Sequence, residues 1–447
     1  MDPTGLFPSF GNFFVNAAAF AVALSVIVAV HEFGHYIVGR WSGIHAEVFS
    51  IGFGPKLFSR VDKRGTRWQL AAIPLGGYVR FLGDADVASG SPDEETLSHL
   101  SPKEKRHTLH GAPLWARAAT VAAGPIFNFV LSILIFAAVM LFSGVATEVP
   151  TVSQVKPLPN GSGEIREGDQ IVAADGIATP DYTALFEAIG ELPSAPEMTY
   201  VVLRDGQELS VTGPALYPPR VEGIAPGTAA SDAGLQRGDV VIAADGVPVN
   251  VFADLQAMVK EAEGRPIQLT VWREGEGEFE AALAARRTDI PRAEGGFETR
   301  WLIGVTGSFF FEPAVRRPSP WEATTGAVSQ TWDVAATSLS GLWHMITGAI
   351  SSCNLRGPIG IAESSGAAAS QGPADFIWFV AFLSTAIGLL NLFPIPVLDG
   401  GHLVFHAWEW STGKPPSEGV LRFLMAVGLA LVLALMTLGL ANDLFCP

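Results

Sequence analysis

Four apolar stretches limit what this chain can become. They run from about Phe13 to Ile37, Ala118 to Phe142, Phe376 to Phe393 and Phe423 to Leu440. A run of roughly 20 apolar residues crosses a bilayer as one helix, because a helix satisfies every backbone group inside the segment. The spacing predicts a polytopic α-helical membrane protein with about four transmembrane helices and both termini on one side. Composition agrees: 49% of the 447 residues are hydrophobic and mean hydropathy is +0.32, too apolar for an ordinary soluble enzyme. A net charge of −16 leaves no basic stripe for phosphates, so nucleic acid is excluded as a partner. No Lys or Arg precedes Arg40, so the first run lacks the charged start of a signal peptide and reads as a retained span.

Orientation follows from the loops. Basic residues crowd the segment between the first two runs, from Arg40 through Lys56, Arg64, Arg80 and Lys105 to Arg117, while both ends lack them. The positive-inside rule then places this segment and the short loop with Lys414 in the cytoplasm. Residues 143–375 fall outside it, in the periplasm of a bacterium with two membranes.

The first run ends in Val30-His31-Glu32-Phe33-Gly34-His35. On a helix, His31 and His35 lie one turn apart on one face with Glu32 beside them. Two neutral imidazoles so spaced can hold one Zn2+ with positions left for water, and a neighbouring carboxylate can take the proton from that water. The bland alternative is two inert, hydrogen-bonded histidines. Lipid-like surroundings weigh against it, since ionisable residues there are costly and tend to be functional. A third ligand is still needed. Asn391-Leu392-Phe393-Pro394-Ile395-Pro396-Val397-Leu398-Asp399 closes the third run on the same side as the histidines, and its prolines break the helix. Asp399 is the preferred ligand. His402 and His406, also four apart, are rivals that lie beyond the break and are expected to face cytoplasmic water.

The loop after the first run contains Val48 to Pro55 and Trp68 to Val79, apolar, β-branched and broken by Gly and Pro. Both read as short membrane-associated strands with tight turns. Either they offer a sheet edge to an unwound substrate segment or they only pack on the helices, and spacing does not choose. Residues 84–112 read as a solvated connector with His99, His107 and His110 on the surface.

The segment between the second and third runs repeats itself. Gly168-Asp169-Gln170-Ile171-Val172-Ala173-Ala174-Asp175-Gly176 recurs as Gly238-Asp239-Val240-Val241-Ile242-Ala243-Ala244-Asp245-Gly246, each a Gly-Asp leading into a strand and an Asp-Gly turn. A repeat this long is one small domain used twice. The second copy is preceded by Gly223-Ile224-Ala225-Pro226-Gly227, whereas the first has Pro157-Leu158-Pro159-Asn160-Gly161 there. The copies resemble two tandem PDZ-like α+β domains of bacterial envelope proteases. The resemblance implies grooves for periplasmic peptide ends, with the first groove degenerate, or else two domains that only filter by size. Further on, apolar residues at helical spacing from Trp321 to Ile350 predict an amphipathic helix at the membrane surface, with His344 interfacial. Cys353 and Cys446 are too few for a disulfide framework; a bridge would require both to face an oxidising compartment.

Taken together, His-Glu-Phe-Gly-His, Gly52-Phe53-Gly54-Pro55, Gly76-Gly77-Tyr78-Val79, Gly124-Pro125-Ile126-Phe127-Asn128, the tandem repeat, Gly357-Pro358-Ile359-Gly360-Ile361 and Asn-Leu-Phe-Pro-Ile-Pro-Val-Leu-Asp-Gly resemble the site-2 protease family over nearly the whole chain, in order. The resemblance implies an inner-membrane zinc endopeptidase that cuts single-span membrane proteins, typically an anti-sigma factor already trimmed outside. It implies His31, His35 and Asp399 as zinc ligands, Glu32 as acid/base and Asn391 as a residue that holds substrate. It implies membrane-entering β-structure around Gly52, Phe53, Gly54, Gly76, Gly77 and Tyr78 that receives the substrate. The expected layout is a first helix with the motif over 1–40, a cytoplasmic loop with a β-hairpin over 41–113 and a second helix over 114–143. PDZ-like domains follow at 144–216 and 217–290, then a periplasmic linker with the interfacial helix at 291–372. A third helix over 373–400 and a loop with the fourth helix over 401–447 complete it. Two other classes remain: an idle scaffold that binds periplasmic peptides, and a zinc transporter. Tandem outer domains speak against transport, and Glu32 speaks against a purely structural site.

Overall fold

The computed structural model describes residues 8–84, 94–225, 227–291 and 297–446, so Pro226 of the second repeat and residues 85–93 of the connector lie outside it. It divides into two compact units, one made of Met1–Val139, Trp321–Leu342 and Leu355–Cys446, the other of Met140–Pro320 and Trp343–Asn354.

The helices are α1 (Pro8–Trp41), α2 (Glu94–His99), α3 (Pro102–Lys105), α4 (Leu114–Ser143), α5 (Tyr182–Ala188), α6 (Ala229–Asp232), α7 (Phe252–Ala262), α8 (Pro320–Ile346), α9 (Pro358–Gln371), α10 (Pro373–Asn391), α11 (Asp399–Thr412) and α12 (Glu418–Phe445). Among the described residues four are long and apolar enough to cross a membrane: α1 over Phe13–Trp41, α4, α10 and α12. Many of their large apolar side chains point outward, while small residues line much of the helix–helix contact. Leu134 and Phe142 of α4 are exposed, for instance, while Ala116, Ala123 and Gly124 are buried. A helix bathed in lipid has that pattern, because the outer solvent is as apolar as the core. The helix α8 follows it too: Trp321, Trp332, Trp343 and Ile346 are exposed, and Ala323, Ala327 and Thr331 are buried.

The helix α9 was not anticipated as an element. Its N-terminus is held by α12, where the Asp443 carboxylate accepts the backbone N–H groups of Gly357, Ile359 and Gly360 at 2.8, 3.0 and 3.1 Å. These are the orphan donors every helix start leaves. An added Cβ at Gly357 would lie 2.5 Å from the backbone of Gly439, so the two helices meet at glycine.

Two long strands, β1 (Ala46–Val61) and β2 (Arg67–Phe81), replace the short strands expected in the first loop. Glycine is the reason: Gly52 and Gly54 have φ of +86° and +83°, which bend β1 where no L side chain sits easily. As a result Phe49 faces Val79 on one side and Trp68 on the other, while Arg60 also faces Trp68. The connector is more ordered than expected. His99 and His107 are exposed, as expected, but His107 Nδ1 donates to the Gly43 carbonyl at 2.6 Å, and His110 is half-buried 3.5 Å from Asp84.

In the second unit the repeat forms two sheets of identical order. The first runs Ile177–Ala178, Gln170–Ala174, Glu197–Arg204, Gln207–Pro214, and the second runs Val247–Pro248, Val240–Ala244, Pro266–Arg273, Gly277–Ala284. The repeated aspartates explain themselves. Asp169 and Asp239 are fully buried and paired to Arg204 and Arg273 at 2.6 and 2.7 Å. Asp175 and Asp245 take left-handed φ at the turns and accept the Thr199 and Gln268 N–H groups. The chain completes the first module only after building the second: Phe309, Phe310 and Phe311 enter the core with Tyr200 and Leu185, and Phe311–Pro313 pairs with Val152–Val155. Buried Lys156 reaches Glu222 at 2.7 Å and Ser308 at 2.8 Å, and Glu222 also binds Arg220 and Arg237, which ties the two modules together. Neither cysteine is a free thiol.

Candidate active site

One turn of α1 brings the His31 and His35 Nε2 atoms to 3.1 Å from each other. Asp399, the first residue of α11, points its Oδ2 at both, 3.1 Å from His31 Nε2 and 3.5 Å from His35 Nε2. The break before α11 sets that aim. Its turn is so tight that a Cβ on Gly400 would lie 2.3 Å from the Leu392 and Phe393 carbonyls, and one on Gly401 2.3 Å from the Ile395 carbonyl. Among the described residues these three side chains alone form a group able to share a metal ion.

The donor set fits zinc. Ligands about 2.0 Å from a tetrahedral zinc stand about 3.3 Å from one another, and the three separations bracket that value. Asp399 Oδ2 is buried with no aligned hydrogen-bond donor, an acceptor that a cation would satisfy. His35 Nδ1 lies 2.8 Å from the Thr120 carbonyl. A carbonyl can only accept, so Nδ1 carries the proton and Nε2 keeps its lone pair toward the site.

Glu32 sits beside this group and accepts the backbone N–H of Val79. A Cβ on Gly77 would lie 3.3 Å from Glu32 Cγ and 2.7 Å from the Ser50 carbonyl, so β2 passes directly over the carboxylate because residue 77 has no side chain. Phe53 is 42% exposed and stacks on Tyr78 with ring centroids 6.0 Å apart, against Gly76. Gly52, Gly54, Gly76, Gly77 and Tyr78 thus share one bent sheet next to Glu32. Asn391 ends α10, half-buried, at the start of the break that leads to Asp399.

The rivals His402 and His406 stand on α11 outside the three-atom group, and the expectation that they face open water does not hold. Both are half-buried, and His406 Nδ1 is enclosed without a partner. The cause is a bidentate ion pair at 2.6 and 2.9 Å from Arg117 of α4 to Glu409 of α11, which holds that face inward. Two residues of α4 that sequence reasoning left without a role also reach the site. A Cβ on Gly124 would lie 2.4 Å from His35 Nε2 and 2.7 Å from His31 Cε1, and the Asn128 amide lies 3.2 Å from His31 Nδ1. The available signal was an uncharged polar residue inside an apolar run.

Residues 19–435 match the model of peptidase family M50. A protein of Agrobacterium fabrum named as a zinc metalloprotease is 37% identical over 430 residues, 95% of this chain and 94% of that one. The regulator of sigma-E protease RseP of Salmonella typhimurium is 34% identical over 96% of this chain and 98% of its own. RseP of Escherichia coli is 34% identical over 97% and 99%.

Proposed function

This chain belongs to peptidase family M50 and is a zinc metalloprotease; from that premise we propose that it hydrolyses a peptide bond within the transmembrane segment of single-span membrane proteins. The observation that carries the reading is the convergence of His31, His35 and Asp399 beside Glu32, on and between helices long enough to cross a bilayer. The relatives named for regulating sigma-E favour an anti-sigma factor as the substrate class, and the family resemblance adds that it is first trimmed on the outer side.

His31, His35 and Asp399 would hold the zinc, which when bound supplies a Lewis acid for the scissile carbonyl and lowers the pKa of water. Glu32 takes the proton from the attacking water and returns it to the leaving amine. A transmembrane helix hides its carbonyls in its own hydrogen bonds, so the substrate must first unwind. The bent β1–β2 sheet around Gly52–Gly54 and Gly76–Tyr78 receives the unwound segment by strand pairing, and Asn391 helps to hold it. The enzyme lies in the bacterial inner membrane with the site toward the cytoplasm, as the basic residues between α1 and α4 favour. The two repeat modules, read as PDZ-like domains, then lie in the periplasm and screen substrates there.

The test is Glu32→Gln in detergent with a model single-span substrate. The variant should keep its zinc and lose cleavage. Full cleavage would end the assignment of Glu32 as the acid/base.

A further inference from the structure

A histidine that offers Nε2 to a metal must carry its proton on Nδ1, and a buried Nδ1–H needs an acceptor. For His35 the acceptor is the Thr120 carbonyl of α4. For His31 the group at that position is the side-chain amide of Asn128, two helical turns further along the same helix and 3.2 Å away. Asn128 is fully buried, and its Oδ1 has no hydrogen-bond partner. As placed, its NH2 end faces His31. An NH2 donor there would hold the proton on Nε2 and close the lone pair that the site requires. The two ends of an amide have the same shape, so exchanging them turns the unpartnered oxygen toward His31 and gives its Nδ1–H an acceptor.

We propose that Asn128 is a positioning residue for His31: its side-chain oxygen accepts the Nδ1–H and so keeps Nε2 open toward the metal. The residue is well anchored for this role. Its backbone carbonyl accepts Ser132 Oγ at 3.0 Å and Ser384 Oγ at 2.9 Å, the latter from α10, and Gly388 leaves room beside its Cβ. Gly124, midway between Thr120 and Asn128, lets both rings lie against α4. One helix therefore orients both imidazoles through acceptors that bracket the contact.

The inference rests on the reading of His31, His35 and Asp399 as zinc ligands, and its test keeps the two apart. Zinc affinity of the full-length chain in detergent is measured by competition with a chelator of known strength, for wild type, Asn128→Leu and Asn128→Asp. Leu keeps the size without an acceptor, and Asp restores one. Loss of such an outer partner lowers metal affinity by about 10- to 100-fold, which is the result expected for Asn128→Leu, with Asn128→Asp close to wild type. Equal affinity in all three, or an equal loss in both variants, would overturn the role of Asn128 while leaving the ligands in place. No zinc on the wild-type chain would overturn both.

Discussion

Gly124 shows how little space the site leaves at the scale of single residues. Any side chain there would meet His35 at 2.4 Å and His31 at 2.7 Å, and the packing of α1 on α4 is equally close one residue away, where a Cβ on Gly34 would lie 2.5 Å from the Ala123 carbonyl. Gly124→Ala should therefore cost the protein its zinc while the helices remain folded, measured as metal content against helical circular dichroism. Unchanged zinc content in that variant would mean that the rings lie elsewhere. The histidine pair and Glu32 were legible because their spacing is local, four residues on one helix. Asp399 was legible from chemistry and from an orientation argument about charged loops. Gly124 and Asn128 were not, since a glycine or an asparagine in an apolar run signals only that something comes close.

Among the elements, β2 and α12 make the clearest predictions. Gly77 lies against Glu32, so Gly77→Val pushes the strand off the Ser50 carbonyl and the carboxylate. Misplacing a catalytic group by about 1 Å costs about 100-fold in rate, and cleavage should fall to that degree with zinc content unchanged. Parallel loss of zinc would show that β2 supports the ligands instead. At the other end of the unit, Asp443→Ala strips three backbone N–H groups of their acceptor. Losing a side chain that caps a helix start costs about 0.5–2 kcal/mol, so the melting temperature should drop measurably, and an unaltered melt would show the α9–α12 junction to be incidental. Length and hydropathy sufficed to find the spanning helices. They failed for α9, which is short and rich in Ala, Ser and Gly, and they understated β1 and β2, whose glycines bend strands that sequence reads as ended.

For the whole molecule, the repeat was visible as a sequence but its closure was not. Phe309–Phe311 complete the first module from beyond the second, a long-range pairing that no local pattern encodes. The Lys156–Glu222–Ser308 network joins the modules and has a pH signature. Burial alone would raise the Glu222 pKa from its ordinary 4.5, but Lys156, Arg237 and Ser308 outweigh it and bring the carboxyl down to about 2. A carboxylate with a depressed pKa stabilises the fold above its unfolded value and loses that contribution as pH falls through the folded one. Stability should thus decline between about pH 4.5 and pH 2 by a component that Glu222→Gln removes, read from melting curves across that range; identical profiles would dismiss the network as a contributor. The central claim joins distant parts of the chain, since α1 and the start of α11 must meet on one ion. Zinc stoichiometry of the purified full-length protein tests it most directly, across wild type, Glu32→Gln, His31→Ala, His35→Ala and Asp399→Ala. One zinc per chain in the first two and none in the last three is the predicted result, and a full complement of zinc in Asp399→Ala would contradict it.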